Sequence, residues 1–324
     1  VPAGYQTVDL KGYHIYPGFI DPYTQYGIPQ AAADEARTAL TAKGIVVDES
    51  GKPIPYVNIW VENENIGTTS EENGQFSIIT GENKILVFSA IGFETLKAKL
   101  KESGKVVLKS VSYQLDEVVI KNRIRKDQIE IGKYKKGNIK LYYGAGIQPT
   151  IIAKFIALSQ DIKKHPFIDN ISFLTLSDIN NAKIKVRFYE VAPDGSPGLD
   201  YSDDIIIVSV KSGKQNNTID LRDKNIIIPN SGLFIAFEWM IIEENKYTYE
   251  YTIDEENTKL LGGLPDLKKK VYKNGIKYDP LLGTIPSDFS TSWQYGAGKW
   301  VSIKTHKKSK NLKINDKYDN KFGN

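Results

Sequence analysis

The sequence predicts an all-β protein built from two successive β-sandwiches. Three observations lead there. The chain is rich in Tyr, Ile and Val, with 19 Tyr against a single Met, Met240, which is the bias of strands rather than helices. Apolar residues alternate in short runs, and turn residues interrupt them at about 8–12-residue intervals, the spacing of a sandwich or barrel. The length of 324 residues corresponds to about two domains at roughly 150 residues each.

The first sandwich is read over residues 43–120. Gly44–Val47 is a β-branched run closed by the turn Glu49-Ser50-Gly51, and Tyr56–Val61 alternates with Val57, Ile59 and Val61 on one face. Gly67-Thr68-Thr69 is a short third strand, and Asn73-Gly74 reads as a hairpin turn because both residues tolerate positive φ. Gln75–Ile79, Ile85–Ala90, Glu94–Leu100 and Val106–Leu108 follow, with Val118–Ile120 as a last strand. Residues 1–42 read as an N-terminal extension ending in the Ala-rich, helix-prone stretch 31–42.

A basic linker, 121–139, separates this from a second sandwich over 140–305. Its expected strands are Ile151–Leu158, Phe167–Leu176, Lys183–Val191, Ile205–Val210, Thr218–Leu221, Asn225–Ile228, Leu233–Ile242, Tyr247–Ile253 and Trp300–Lys304. Residues 193–198 are dense in breakers and predict a turn. Residues 255–290 read as loop, with Gly262-Gly263 and Asn274-Gly275 as punctuation. The tail 306–324 is basic and poor in apolar residues, a composition that favours disorder.

Charge and residue usage exclude several functions. The net charge of +4 is concentrated in residues 304–324, which hold seven Lys and two Asp. The rest is nearly neutral and offers no basic stripe for nucleic acid. The absence of Cys rules out thiolate metal sites, disulfides and a cysteine nucleophile. His14, His165 and His306 are isolated, and no phosphate-cradling glycine motif occurs. Glu238, Asp203, Asp204, Asp254, Glu255 and Glu256 lack the spacing of a calcium loop. No catalytic residue, cofactor or metal ligand is therefore expected. No apolar run reaches the ~20 residues of a spanning helix. The chain opens at Val1 rather than Met, which reads as a processed or truncated product.

Two aromatic sets are the candidate ligand-binding residues. Tyr247, Tyr249 and Tyr251 alternate and so share one face of a strand. Trp293, Tyr295 and Trp300 are less regularly spaced. Each set suits stacking on a sugar ring, and cross-strand packing is the favoured reading of both. A third expectation concerns charge. Along Lys183–Val191 the apolar residues Ile184, Val186 and Phe188 take one face, so Arg187 points to the other. Along Leu233–Ile242, Glu238 lies opposite Ile235, Phe237, Trp239 and Ile241. A carboxylate within so apolar a strand is expensive unless paired, and Arg187 is the expected partner on a neighbouring strand. Whether the pair is buried or faces water stays open here.

Several segments resemble known families. Residues 43–120 run GIVVDESGKPIPYVNIWVENENIGTTSEENGQFSI, then ILVFSAIGFETLKAKL, then LDEVVI. With Asp48, Gly51, Pro55, Gly67, Gly74, Phe76, Gly92 and Leu115–Val119 in place, this closely resembles the carboxypeptidase-regulatory-like, or transthyretin-like, domain. The resemblance implies a seven-strand sandwich without catalysis, of a kind that also precedes outer-membrane nutrient receptors of Gram-negative bacteria. Gly92 would then mark a tight bend that excludes a Cβ. The phrases KVRFYEVAPDGSPG, TIDLRDKNIIIP and GLFIAFEW resemble an uncharacterised, jelly-roll-like β-sandwich found after such domains. Residues 5–29 are similar to the N-terminal strand segment of amidohydrolases, but Pro22-Tyr23-Thr24-Gln25 stands where that family's metal-binding His pair belongs. The resemblances imply an exported, non-catalytic envelope protein whose partner is a glycan or another envelope protein. The alternatives are a remnant or fragment of an amidohydrolase-type metal-dependent hydrolase, or a piece of an outer-membrane nutrient-uptake system.

Overall fold

A computed structural model describes residues 40–99, 103–111, 128–255, 269–285, 291–296 and 298–303. The expected strand Val118–Ile120, most of the extension 1–42, residues 121–127 of the basic linker and the tail lie outside the described residues.

Seven strands form the first pair of sheets. β1 (Leu40–Val47), β4 (Gln75–Thr80) and β7 (Ser103–Val107) make one sheet, in the order β4-β1-β7, with β1 and β7 parallel. β2 (Asn58–Val61), β3 (Gly67–Thr69), β5 (Ile85–Ser89) and β6 (Leu96–Lys99) make the other, in the order β3-β2-β5-β6. Alternation drives the packing: in β4, Phe76 and Ile78 are buried while Gln75, Ser77 and Ile79 are exposed. Phe76 meets Phe88 edge to face at 5.6 Å between ring centroids, within a core that includes Val46, Val57, Ile59, Leu86 and Leu108.

Three local readings change. Leu40–Ala42, expected at the end of the Ala-rich stretch, open β1, because Ala42 is buried and pairs with Ile78. Asn73-Gly74 does not close a hairpin; it carries the chain from β3 in one sheet to β4 in the other. A Cβ on Gly92 would meet nothing within 4 Å; its φ of +78°, not crowding, is what favours glycine there.

The second pair of sheets packs face to face. The first has β14 (Gly213–Asp220), β10 (Asn170–Ser177), β17 (Lys269–Thr284) and β16 (Lys246–Glu255) in that order, with β8 (Leu141–Ala145) also on β17. The second runs β12 (Pro197–Asp200), β11 (Ala182–Val191), β15 (Leu233–Trp239), β9 (Ile151–Ile156), β18 (Ser292–Gly296), β19 (Lys299–Ser302), with β13 (Ile206–Val210) also on β11. Phe173 and Leu282 of the first sheet meet Ile184 and Trp239 of the second. Trp239 is completely buried, and its indole nitrogen donates to the Pro280 carbonyl at 2.6 Å. A short helix, α1 (Gln160–Lys164), capped by the Ser159 hydroxyl, adds Ile162 to a second cluster with Phe188, Leu221 and Leu233.

The largest departure from expectation is β17, which occupies part of the stretch read as loop. Its sequence KKVYKNGIKYDPLLGT is diluted by Lys and Asn, so its alternation is faint. Gly275 sits inside the strand opposite Tyr249, whose ring occupies the space a Cβ would need, 2.5 Å from it. Asn225–Ile228 forms no strand and contributes one bridge, Phe167 to Ile227.

Gly232 gives a direct test of this packing. It has φ +86°, and a Cβ there would fall 2.4 Å from the Phe155 ring and 2.9 Å from the Ile156 carbonyl oxygen. Gly232→Ala is expected to destabilise by about 1–3 kcal/mol, measurable as a shift in the urea midpoint.

Candidate functional site

The face of the seven-stranded sheet turned away from its own core carries charge. In β11, alternation sends Ile184, Val186 and Phe188 inward and leaves Lys183, Lys185, Arg187 and Tyr189 on the opposite face. The register with β15 sets Lys185 opposite Glu238, Arg187 opposite Ala236 and Tyr189 opposite Phe234. Glu238 is completely buried, and Lys185 and Arg187 are each about nine-tenths buried or more. Lys185 Nζ lies 2.7 Å from Glu238 Oε1, and Arg187 Nη1 lies 2.8 Å from Oε2. Arg187 turns its other edge to Asp200 of β12, through Nε at 3.0 Å and Nη2 at 2.8 and 2.6 Å. The expected Arg187–Glu238 pair thus exists and is buried. Lys185 and Asp200 complete it as a four-membered chain, and neither was expected.

Electrostatics keeps Glu238 and Arg187 charged. Burial alone would push the Glu238 carboxyl up, but the charges and hydrogen bonds of Lys185 and Arg187 hold it below the usual carboxylate range. Burial would likewise favour loss of the Arg187 proton, yet Tyr189, Glu238 and Asp200 raise its pKa further above the ordinary value. Burial raises the Tyr189 phenol, which stays neutral. Of the acids singled out from sequence, Glu238 is therefore committed to ion pairing, and Asp204 pairs with Lys224 at 3.1 Å.

The first sandwich covers this network. Tyr56, at φ +56°, presents its carbonyl to Lys185 Nζ at 2.9 Å and its hydroxyl to Lys183 Nζ at 3.1 Å. Thr69 Oγ1 accepts from the Ile241 amide at 3.0 Å, and Glu71 Oε1 from the Glu243 amide at 3.1 Å. Tyr56 also packs with Met240 and Ile242. The seam is therefore closed by both hydrogen bonds and apolar contact.

Beside the ion network the seam becomes aromatic. Trp60 of β2 meets Tyr295 of β18 edge to face at 6.1 Å. Tyr295 and Tyr189 each contact Trp300, at 5.1 and 5.4 Å. Arg187 lies over the Tyr189 ring at 4.9 Å. A cavity of about 190 Å³ opens here, lined from one side by Asn58, Trp60 and Phe93 and from the other by Arg187, Asp200 and Trp300.

The six aromatic residues singled out from sequence fall into two places. Trp300 lines this cavity, and Trp293 packs on the same face of β18 with Phe155 and Tyr295. Tyr247, Tyr249 and Tyr251 belong to β16 of the other sheet. Tyr249 and Tyr251 are 6.0 Å apart and partly exposed, and Lys277 lies over Tyr247 at 5.1 Å. The structure does not gather the two sets into one site. Trp60, Tyr189 and Asn58, which do line the cavity, had no distinguishing sequence signal beyond their position on alternating strands.

Residues 42–120 match the model of the CarboxypepD_reg-like domain. The chain carries that regulatory-like domain. The TonB-dependent receptor SusC of Bacteroides thetaiotaomicron is 28% identical over 171 residues, 52% of this chain and 16% of the receptor. A TonB-dependent receptor of Formosa agariphila is 37% identical over 81 residues, 24% of this chain and 8% of the receptor. The chain thus spans a small part of the length of either relative. A Bacteroides uniformis protein described as a candidate carbohydrate binding protein superimposes with a TM-score of 0.18 at 7% identity, covering 74% of this chain and 98% of that one. A superposition so loose carries no argument. The amidohydrolase likeness of residues 5–29 gains no support from these matches, and those residues lie outside the described ones. Among the described residues no helix is long and apolar enough to cross a membrane, which says nothing of β-barrels.

Proposed function

We propose that this protein is a non-catalytic binding module of the bacterial envelope, exported to the periplasm, the outer-membrane surface or the medium, and that its partner is a glycan or an envelope protein. The observation that carries this reading is the closed seam. The regulatory-like domain is held on the second sandwich by Tyr56, Thr69 and Glu71, and together they present one composite face. Burying three charges and pairing a half-buried fourth, Asp200, to fix a face in place is consistent with holding a shape, not with moving protons. Glu238 and Arg187 are too tightly engaged with each other to act as acid or base. The receptor matches favour a second reading within the same compartment, in which the chain is part of an outer-membrane uptake system.

Two measurements test the proposal. Cell fractionation of the source bacterium, probed with an antibody to residues 40–303, is expected to recover the protein from envelope or medium. The purified chain is expected to release no product from a panel of glycans. Recovery from cytosol alone, or turnover above the buffer rate, would overturn it.

A further inference from the structure

We propose that the seam cavity binds one neutral, polyhydroxylated ring, a single sugar residue, gripped by both sandwiches at once. This rests on the reading of the protein as a binding module and gives that reading a place and a ligand class.

Size sets the first limit. At about 190 Å³, the cavity is well above the roughly 10–15 Å³ that a single water needs and admits a small ring. Charge sets the second. Lys185 and Arg187 are balanced by Glu238 and Asp200, all within direct ion-pair distance. A charged ligand would unbalance a network that is already neutral, so the fit is to a neutral one.

Polarity sets the third. Asn58 lines the cavity and is 6% exposed, and its side-chain oxygen meets no hydrogen-bond donor among the described residues. A buried acceptor without a donor is costly, and a hydroxyl supplies one. Asp200 accepts three hydrogen bonds from Arg187 of about four its carboxylate can take. A wholly apolar ligand would satisfy neither group. Aromatic rings share the rest of the lining with small and aliphatic residues such as Ser89, Gly198 and Leu199, and Trp60 and Trp300 are only half-buried. Their electron-rich faces suit the weakly positive C–H face of a pyranose, while its hydroxyls address Asn58 and Asp200. Few surfaces offer both halves of that requirement in a space of one ring.

The test uses the full chain with D-glucose, D-galactose, D-mannose and N-acetyl-D-glucosamine as probes, and with glycerol and benzoate as comparisons. Saturation-transfer NMR and tryptophan fluorescence titrations are expected to show millimolar or tighter binding of at least one of the sugars, and weaker binding of glycerol and benzoate. Leu199 lines the cavity at 62% exposure, so Leu199→Trp should block it without disturbing the core. Both Leu199→Trp and Trp300→Ala should weaken sugar binding by about ten-fold or more. Ile79→Ser, at an exposed site on β4, should leave it unchanged. Circular dichroism melts of each variant exclude misfolding as the cause. The proposal is overturned if none of the sugars binds, if benzoate binds best, or if sugar binding survives in both folded cavity variants. In the last case sugar binding persists elsewhere, so the binding-module reading stands and only the location fails. The fractionation and turnover assays judge that reading separately.

Discussion

Glu238→Ala is expected to destabilise the protein by about 3–5 kcal/mol, measured by urea unfolding. The loss is large because the substitution strands two cations at once. Lys185 and Arg187 are both buried and have Glu238 between them. Arg187 retains Asp200, and Lys185 retains only hydrogen bonds such as that to the Tyr56 carbonyl. A measured loss below about 1 kcal/mol would instead mean that water reaches the pair. Acid should weaken the same interaction. The folded-state pKa of Glu238 is depressed, so the folded protein binds its proton less readily than the unfolded chain. The stability it contributes is complete above the unfolded value of about 4.3 and is lost as pH falls through the folded one. Glu238→Gln should therefore flatten the acid limb of the stability profile. Replacing Lys185, Arg187 and Glu238 together by Met or Leu should cost far less than Glu238→Ala, since no charge is then left buried between the two strands.

Trp239→Ala should match or exceed that loss, at about 3–5 kcal/mol from the cavity alone. Trp239 is the largest fully buried side chain, and it contacts both sheets of the second sandwich. Removing the indole also leaves the Pro280 carbonyl without its donor, a further penalty of about 1–3 kcal/mol when the site stays dry. Trp239→Phe keeps a ring beside Tyr143 and loses the hydrogen bond, so it should fall between wild type and alanine. Thermal melts of the three proteins give the order directly. Equal stability of Trp239→Phe and wild type would show that the hydrogen bond contributes nothing.

These two residues also show how far the sequence alone reaches. Period-two alternation assigns a face to each residue, which is enough to set Glu238 against the apolar side of its strand and to make Arg187 its partner. Alternation also places Lys185 on the same face as Arg187, but says nothing of which residue stands across from it. That depends on the register of β11 against β15, about fifty residues apart, and register is fixed by tertiary packing. Asp200 was legible in principle. The breaker-rich turn at 193–198 folds the chain back on β11, and a hairpin count carries Asp200 toward Arg187. The strand β17 was hidden for the opposite reason. Lys and Asn dilute its pattern, and partners on both sides make it a strand where local preference does not. The cavity was illegible altogether, because Asn58 and Trp300 become neighbours only when two separate sandwiches meet.

The position of β9 bears on how the chain reaches this state. β9 lies between β15 and β18 in its sheet, and those partners follow it by roughly 80 and 140 residues, separations that make loop closure slow to recover its entropy. During synthesis β9 must wait, one edge unpaired, until residues near 296 have left the ribosome. Its sequence IIAKFI is apolar enough to invite a wrong partner in that interval. Lys154 at its centre, which ends up bonded to the Thr291 hydroxyl, is the charge that interrupts that run while the chain is still incomplete.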